Sequence, residues 1–159
     1  IWEECLRIGH NMAAEATEIL QEAPVQKNAN LAAQHRHVKL PVESDMMWAV
    51  VEHSPLNYPH GKDRTVTTQI SLITLGNAQL ITIPGEAMPN IGYYLTRKMK
   101  GDHNLLLGLT HDAFGYILTE VDFNSFKRYD YVAATSLGEQ TGEILSDGWL
   151  VLSDASDQP

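Results

Sequence analysis

A lone cysteine, Cys5, is all the thiol in this chain of 159 residues. No internal disulfide can form, so packing and hydrogen bonds must hold the fold, and the cysteine count neither demands nor forbids secretion. Positive charge is also scarce. Eleven Lys and Arg face twenty Asp and Glu, for a formal net charge of −9, whereas a phosphate backbone needs clustered cations. The one local cluster, Arg97-Lys98-Met99-Lys100, reads as the last turn of a helix, where cations complement the dipole. The charge balance argues against a nucleic-acid partner. No apolar run approaches the roughly 20 residues needed to cross a bilayer, so no transmembrane segment is expected. There is no glycine-rich phosphate loop and no Gly-x-Ser-x-Gly elbow, which leaves nucleotide binding and serine hydrolysis without support. Internal repeats and low-complexity linkers are missing as well.

What is present suits a compact globular piece. Hydrophobic residues make up 43% of the chain and charged residues 19%, and this length can bury a core of its own. Periodicity predicts a helix over Trp2 to Glu22, with Cys5 packed beside Trp2, Leu6 and Ile8, and then a polar loop through Asn30. Strands are expected at His35 to Val42 and Met46 to His53, followed by a long loop to Arg64. Strands at Thr65 to Leu75 and Gln79 to Ile83 are joined at Gly76-Asn77, a hairpin signal. A helix from Glu86 to Lys100, a buried strand at Asn104 to Leu109, a long loop to about Tyr131 and a last helix from Gly138 to Leu152 complete the order. Alternating strands and helices predict an α/β fold with a layered mixed β-sheet flanked by helices. Residues 153–159, acidic and serine-rich, read as a frayed tail.

Two segments place oxygen-bearing side chains where strands end, and α/β folds bind ligands at such ends. The first is Ile83-Pro84-Gly85-Glu86. The apolar run Asn77-Ala78-Gln79-Leu80-Ile81-Thr82-Ile83 stops at Pro84-Gly85, which puts Glu86 in a strand-to-helix turn. On position alone that carboxylate serves as a helix cap, because acidic residues are enriched in first turns. The second is Gly108-Leu109-Thr110-His111-Asp112-Ala113-Phe114-Gly115-Tyr116, after the apolar run Asn104 to Leu109. On position alone Tyr116 packs its ring and bonds its hydroxyl.

Taken together, these segments resemble the neutral (non-lysosomal) ceramidase family, in which a strand ends in Pro-Gly-Glu and a later Gly-Leu-x-Asn-x-x-x-x-Tyr leads into a tyrosine-rich stretch. The similarity extends to Lys127-Arg128-Tyr129-Asp130, which resembles that family's Gln-Arg-Tyr-Glu, and to Ala133-Ala134-Thr135-Ser136-Leu137-Gly138, which resembles its small-residue run. Upstream, Ile8-Gly9-His10-Asn11-Met12 and Leu31-Ala32-Ala33-Gln34-His35-Arg36-His37-Val38 look like the segments before its strand pair. His111 stands where the family has Asn, and the stretch from Glu43 to Lys62 has no counterpart. The resemblance implies that Glu86 and Tyr116 are zinc ligands and that Tyr129 hydrogen-bonds the oxyanion formed when an amide carbonyl is attacked. It implies hydrolysis of ceramide or a similar lipid amide by a zinc-activated water, and a secreted or cell-surface setting.

The family completes its zinc site with two histidines and keeps a serine near the reacting centre, all upstream of the matching region, and no residue here corresponds to them. Residues 1–152 are accordingly read as the C-terminal portion of a ceramidase-like catalytic domain, incomplete by itself. The upstream portion of the same protein is the expected partner, docking on exposed apolar surface and supplying the remaining ligands. A self-contained site would need several of the seven histidines to converge. Alternation places His35, His37 and Lys39 on one face of a strand and Val38, Leu40 and Val42 on the other, a solvated face against a buried one. His53 and His60 lie in a turn-rich loop, while His10 and His103 have ordinary surface positions. His111, five residues before Tyr116, is a candidate hydrogen-bonder to metal or substrate. Two other readings stay open: a ceramidase-like module that binds without catalysis, and a hydrolase of the same fold acting on a non-lipid amide or ester.

Overall fold

The computed structural model describes residues 1–155. Its organising strand is β3 (Thr65–Leu75), an eleven-residue run rich in β-branched side chains. On one side it pairs antiparallel with β1 (Leu31–Pro41) along the whole length, from Leu31 opposite Leu75 to Pro41 opposite Thr65. On the other it pairs with the short β2 (His60–Gly61) and with β4 (Ala78–Thr82). The β3–β4 hairpin turns at Gly76-Asn77, where Gly76 has φ +59°, as the turn residues require. Two residues of strand β5 (Glu86–Ala87) and the helix α3 (Pro89–Lys98) then lead to β6 (His103–Leu107), which lies parallel to β4. The main sheet is therefore mixed, in the order β1-β3-β4-β6, with β2 beside β3.

Helices cover one face of this sheet. Helix α5 (Thr141–Ala155) packs on β1 and β3, and α3 packs on β6 and α5. Leu145, Trp149 and Leu152 recur at four and three residues along α5, which puts them on one stripe. They are buried with Val38, Leu40, Ile70 and Leu72 of the sheet and Ile91 and Leu95 of α3. Helix α2 (Asp45–His53) adds Met47 and Val51 to the same core.

The opposite face is largely uncovered among the described residues, although Ser71 and Thr82 on it are buried. The register puts Leu31 opposite Leu75, Leu75 opposite Ala78, and Leu80 beside Leu105. Leu31, Leu75 and Leu105 are 71%, 50% and 51% exposed. Helix α1 (Trp2–Glu22) likewise buries none of its residues, and Trp2, Leu6, Met12 and Leu20 are exposed. Such contiguous apolar surface marks an interaction site more often than a free one.

Several sequence expectations hold and several are corrected. The helix over Trp2–Glu22 and the strand over Thr65–Leu75 form as expected, and His35, His37 and Lys39 are exposed while Val38, Leu40 and Val42 are buried. Residues Met46 to His53 form a helix instead of a strand. Ser44 caps it by accepting a hydrogen bond from the Met47 amide, Asp45 sits in its first turn, and Met47 and Val51 are buried four residues apart. A short apolar run fits either period, and the cap decides it. The strand after Asn104 is partly exposed, because it is an outer strand with helices on one face only; it ends at Leu107. Cys5 is exposed, since α1 buries nothing. Helix α5 continues to Ala155 and Ser153 is buried; residues 156–159 of the expected tail lie outside the described residues.

The core predicts its own ranking of substitutions. Trp149→Ala, at a position 1% exposed, is expected to lower unfolding stability by about 3–5 kcal/mol. Trp2→Ala on exposed α1 should change it by less than about 0.5 kcal/mol. Urea denaturation of the two variants of this chain checks the contrast, and equal losses would contradict the packing described.

Candidate functional site

The carboxyl ends of the parallel neighbours β4 and β6 run on as two irregular segments, and those segments are laced together by backbone hydrogen bonds. Ile83 N–H donates to Leu107 O at 2.9 Å and Thr110 N–H to Ile83 O at 3.1 Å. Leu109 N–H donates to Gly85 O at 3.0 Å, Phe114 N–H to Pro84 O at 2.9 Å, and Glu86 N–H to Gly115 O at 2.8 Å. Beyond these bonds, β5 pairs parallel with β7 (Tyr116–Ile117), and Glu86 lies opposite Tyr116. Opposed residues on parallel strands share a face, so the carboxylate and the phenol stand side by side.

Gly85 permits this closeness, and Gly115 lets Thr135 pack against the same segment. A Cβ on Gly85 would lie 2.4 Å from Gly115 O, and one on Gly115 would lie 1.9 Å from Thr135 O. Gly115 also has φ +75°, in the left-handed region that side chains disfavour. Glu86 is thus a strand residue, not the helix cap its position suggested. Helix α3 starts three residues later at Pro89, with Met88 as its N-cap and no side-chain cap bond.

Charge at the pair is one-sided. The Tyr116 hydroxyl titrates above the ordinary phenol range, first because the Glu86 carboxylate opposes a second negative charge beside it. Partial burial, the neighbouring Tyr131 and a hydrogen bond with Glu86 add to the effect in that order. The Tyr131 ring meets that of Tyr116 edge-on at 6.1 Å. It is carried by the short helix α4 (Asp130–Ala134), which follows a 3₁₀ turn over Lys127–Tyr129.

The structure brings Glu86, Tyr116 and Tyr131 together. Tyr129 is half-buried, and its ring packs against Phe126 at 5.9 Å. Tyr131 is the residue that sequence reasoning missed; the signal was a second tyrosine two positions after Tyr129 in the same aromatic stretch. His111 points elsewhere: its Nε2 lies 3.1 Å from the Ser71 hydroxyl on β3. His35 and His37 meet edge-on at 5.9 Å on the bare sheet face. His53 stays exposed near Glu52, and His60 bonds Tyr58 O and packs on Trp48.

The segment from Glu43 to Lys62 braces the site from outside. Glu43 N–H donates to Leu137 O at 2.7 Å and the Ser44 hydroxyl to Ala134 O at 3.1 Å. Tyr58 packs on buried Phe114, with ring centres 5.3 Å apart. Two open clefts flank the loop. One, of about 390 Å³, lies between Glu43, Ser44, Phe123, Asp130 and Ser136. The other, of about 480 Å³, lies between Leu56, Tyr58, Pro59, Leu109, His111 and Asp112.

As a metal centre the described residues are incomplete. Glu86 and Tyr116 offer two adjacent oxygen donors in a negative setting, a chemistry that suits a cation. A catalytic zinc takes three protein ligands, and no group of three or more His, Cys, Asp or Glu able to hold a metal exists among the described residues. The pair fits as part of a ligand set, not as the whole.

No protein-family model matches the chain, and a search of curated proteins finds no match. Among solved structures it is similar to neutral ceramidase from Pseudomonas aeruginosa, with a TM-score of 0.60 at 13% sequence identity. The match covers 94% of this chain and 32% of that one, so the chain spans about a third of that protein's length. The likeness is one of fold: a distant structural resemblance to part of a neutral ceramidase.

The electrostatic coupling at the pair is open to direct measurement. Glu86→Gln removes the charge that opposes the Tyr116 phenolate, so Tyr116 is expected to titrate at lower pH than in the native chain. Phenolate absorbance, with Tyr116→Phe subtracted to isolate the one tyrosine, reads the shift. An unchanged or raised titration would show that the two groups do not interact.

Proposed function

We propose that this chain is the C-terminal part of a zinc-dependent amide hydrolase resembling neutral ceramidase, acting on ceramide or a similar lipid amide. The single observation that carries the reading is the register pairing of Glu86 with Tyr116 at the ends of neighbouring parallel strands. These are the two residues that the family motif marks as metal ligands, and they are thirty positions apart in sequence. The resemblance in fold to a third of a neutral ceramidase supports it.

In this reading Glu86 and Tyr116 hold the zinc, and the remaining ligands come from an upstream portion of the same protein. The apolar sheet face and the unburied α1 are the surfaces such a portion would cover. When bound, the zinc supplies a water acidified towards neutral pH for attack on the amide carbonyl. The chain's own residues do the rest. Glu86 keeps local charge negative and so favours the cation. The ladder through Gly85 and Gly115 fixes the spacing of the two ligands. A tyrosine hydroxyl steadies the oxygen that becomes negative as the carbonyl is attacked. The motif assigns that role to Tyr129, and contact with Tyr116 nominates Tyr131 as well.

Elemental analysis and ceramide hydrolysis of the intact parent protein test the proposal. Zinc is expected in the parent, to fall in Glu86→Ala and Tyr116→Phe, and to be absent from this chain alone. A parent that holds no zinc, or keeps it undiminished in both variants, would overturn the metal assignment and favour a non-catalytic module. Hydrolysis of short polar amides but not ceramides would move the substrate to a non-lipid class.

Of Tyr129→Phe and Tyr131→Phe, the one that removes the oxyanion donor is expected to lower kcat about 100- to 1,000-fold with zinc content intact. Steady-state kinetics of both variants decides between them, and full activity in both would remove tyrosine from the oxyanion role.

A further inference from the structure

We infer that Ser44 is a positioning residue for the site: its hydroxyl links the start of α2 to the end of α4 and so holds Tyr131 against Tyr116. The two partners of Ser44 Oγ leave its bonding no choice. The Met47 amide can only donate to it, at 3.3 Å, and the Ala134 carbonyl can only accept from it, at 3.1 Å. An oxygen lone pair therefore caps α2, and the single hydroxyl proton goes to α4.

Backbone bonds bring Ser44 to this place whatever its side chain. Glu43 N–H and Ser44 N–H both donate to Leu137 O, at 2.7 and 3.2 Å, and Leu137 is itself fully buried. The Glu43 carboxylate accepts from Glu139 N–H at 3.0 Å. A Cβ on Gly138 would lie 2.6 Å from that carboxylate, so the α4–α5 connection closes on Glu43 without a side chain between them.

Helix α4 depends on such outside help. It has five residues, whereas helices below about 12–15 residues are marginal by themselves in water, and its last carbonyls have no intrahelical partners. Thr135 O accepts from Tyr116 N–H at 3.2 Å. One bond at one end leaves a short helix free to swing about it. The Ser44 bond to the neighbouring carbonyl is a second fixed point, and it comes from α2, which is anchored in the core by Met47 and Val51. Tyr131, about one turn earlier on α4, thereby keeps its edge-on contact with Tyr116 at 6.1 Å. What the tyrosine does for catalysis rests on the proposed function; its placement by Ser44 does not.

The test needs neither zinc nor substrate. Nuclear Overhauser cross-peaks between the Tyr116 and Tyr131 rings of this chain, assigned with Tyr116→Phe and Tyr131→Phe, read the contact, and hydrogen exchange of the Met47 amide reads the α2 cap. Ser44→Asp keeps an acceptor for the cap, but an ionised carboxylate has no proton to give Ala134 O. It is expected to keep Met47 protected and to lose the ring cross-peaks. Ser44→Thr should keep both signals, and Ser44→Ala should lose both. Cross-peaks of native strength in Ser44→Asp or Ser44→Ala, or their loss in Ser44→Thr, would overturn the inference. Loss of Met47 protection together with the cross-peaks in Ser44→Asp would reduce Ser44 to a helix cap and overturn it as well. A parent without amide hydrolysis would count against the proposed activity alone.

Discussion

The backbone ladder between residues 83–88 and 108–117 is the constraint on which the site depends. Parallel strands β4 and β6 end together, and their continuations stay within hydrogen-bond reach because Gly85 has no Cβ to hold them apart, while Gly115 lets Thr135 approach from the other side. Each carbonyl in the ladder that faces an amide satisfies a group that would otherwise lie unpaired near the core. The cost of the irregular path, including two non-glycine residues at positive φ in one loop, is offset by that network. Glu86 and Tyr116 inherit their proximity from it.

Electrostatics then gives the pair its character. A carboxylate beside a phenol raises the phenol's titration, and the same negative potential favours a cation between or beside them. In the proposed reading the two oxygen donors are part of a metal site completed by other residues. The exposed sheet face and the unburied α1 are the surfaces that the proposed upstream portion would cover. The fold of the chain resembles about a third of a neutral ceramidase. A helix with no buried face gains little from tertiary contact, which is where most helix stability originates, so α1 is the element with most to gain from a covering layer.

The segment from Glu43 to Lys62 supports the site loop from outside it. Its helix α2 buries Met47 and Val51 in the main core, its start bonds Ala134 and Leu137, and Tyr58 packs on Phe114. It thereby couples the site loop, α4 and the core into one packed unit. Ser71 and Thr68 reach the loop from the two faces of β3. A site held by several neighbouring elements keeps its side chains in place through those supporting contacts.

Local chemistry determined much of this protein in advance. The α1 and β3 boundaries, the hairpin at Gly76-Asn77 and the two faces of β1 follow from periodicity and turn residues, signals that involve near neighbours in sequence. The placing of Glu86 and Tyr116 beyond the ends of two strands was legible too. Tertiary structure decided the rest. The run from Met46 to His53 fits either period until the Ser44 cap and the core face of Met47 and Val51 make it a helix. Leu105 looks buried from its neighbours and is exposed because it projects from the uncovered face of the sheet. Tyr131 reaches Tyr116 through α4, and His111 turns to Ser71, 40 positions away. These outcomes depend on which surfaces meet across long separations, and no local pattern of side chains encodes that.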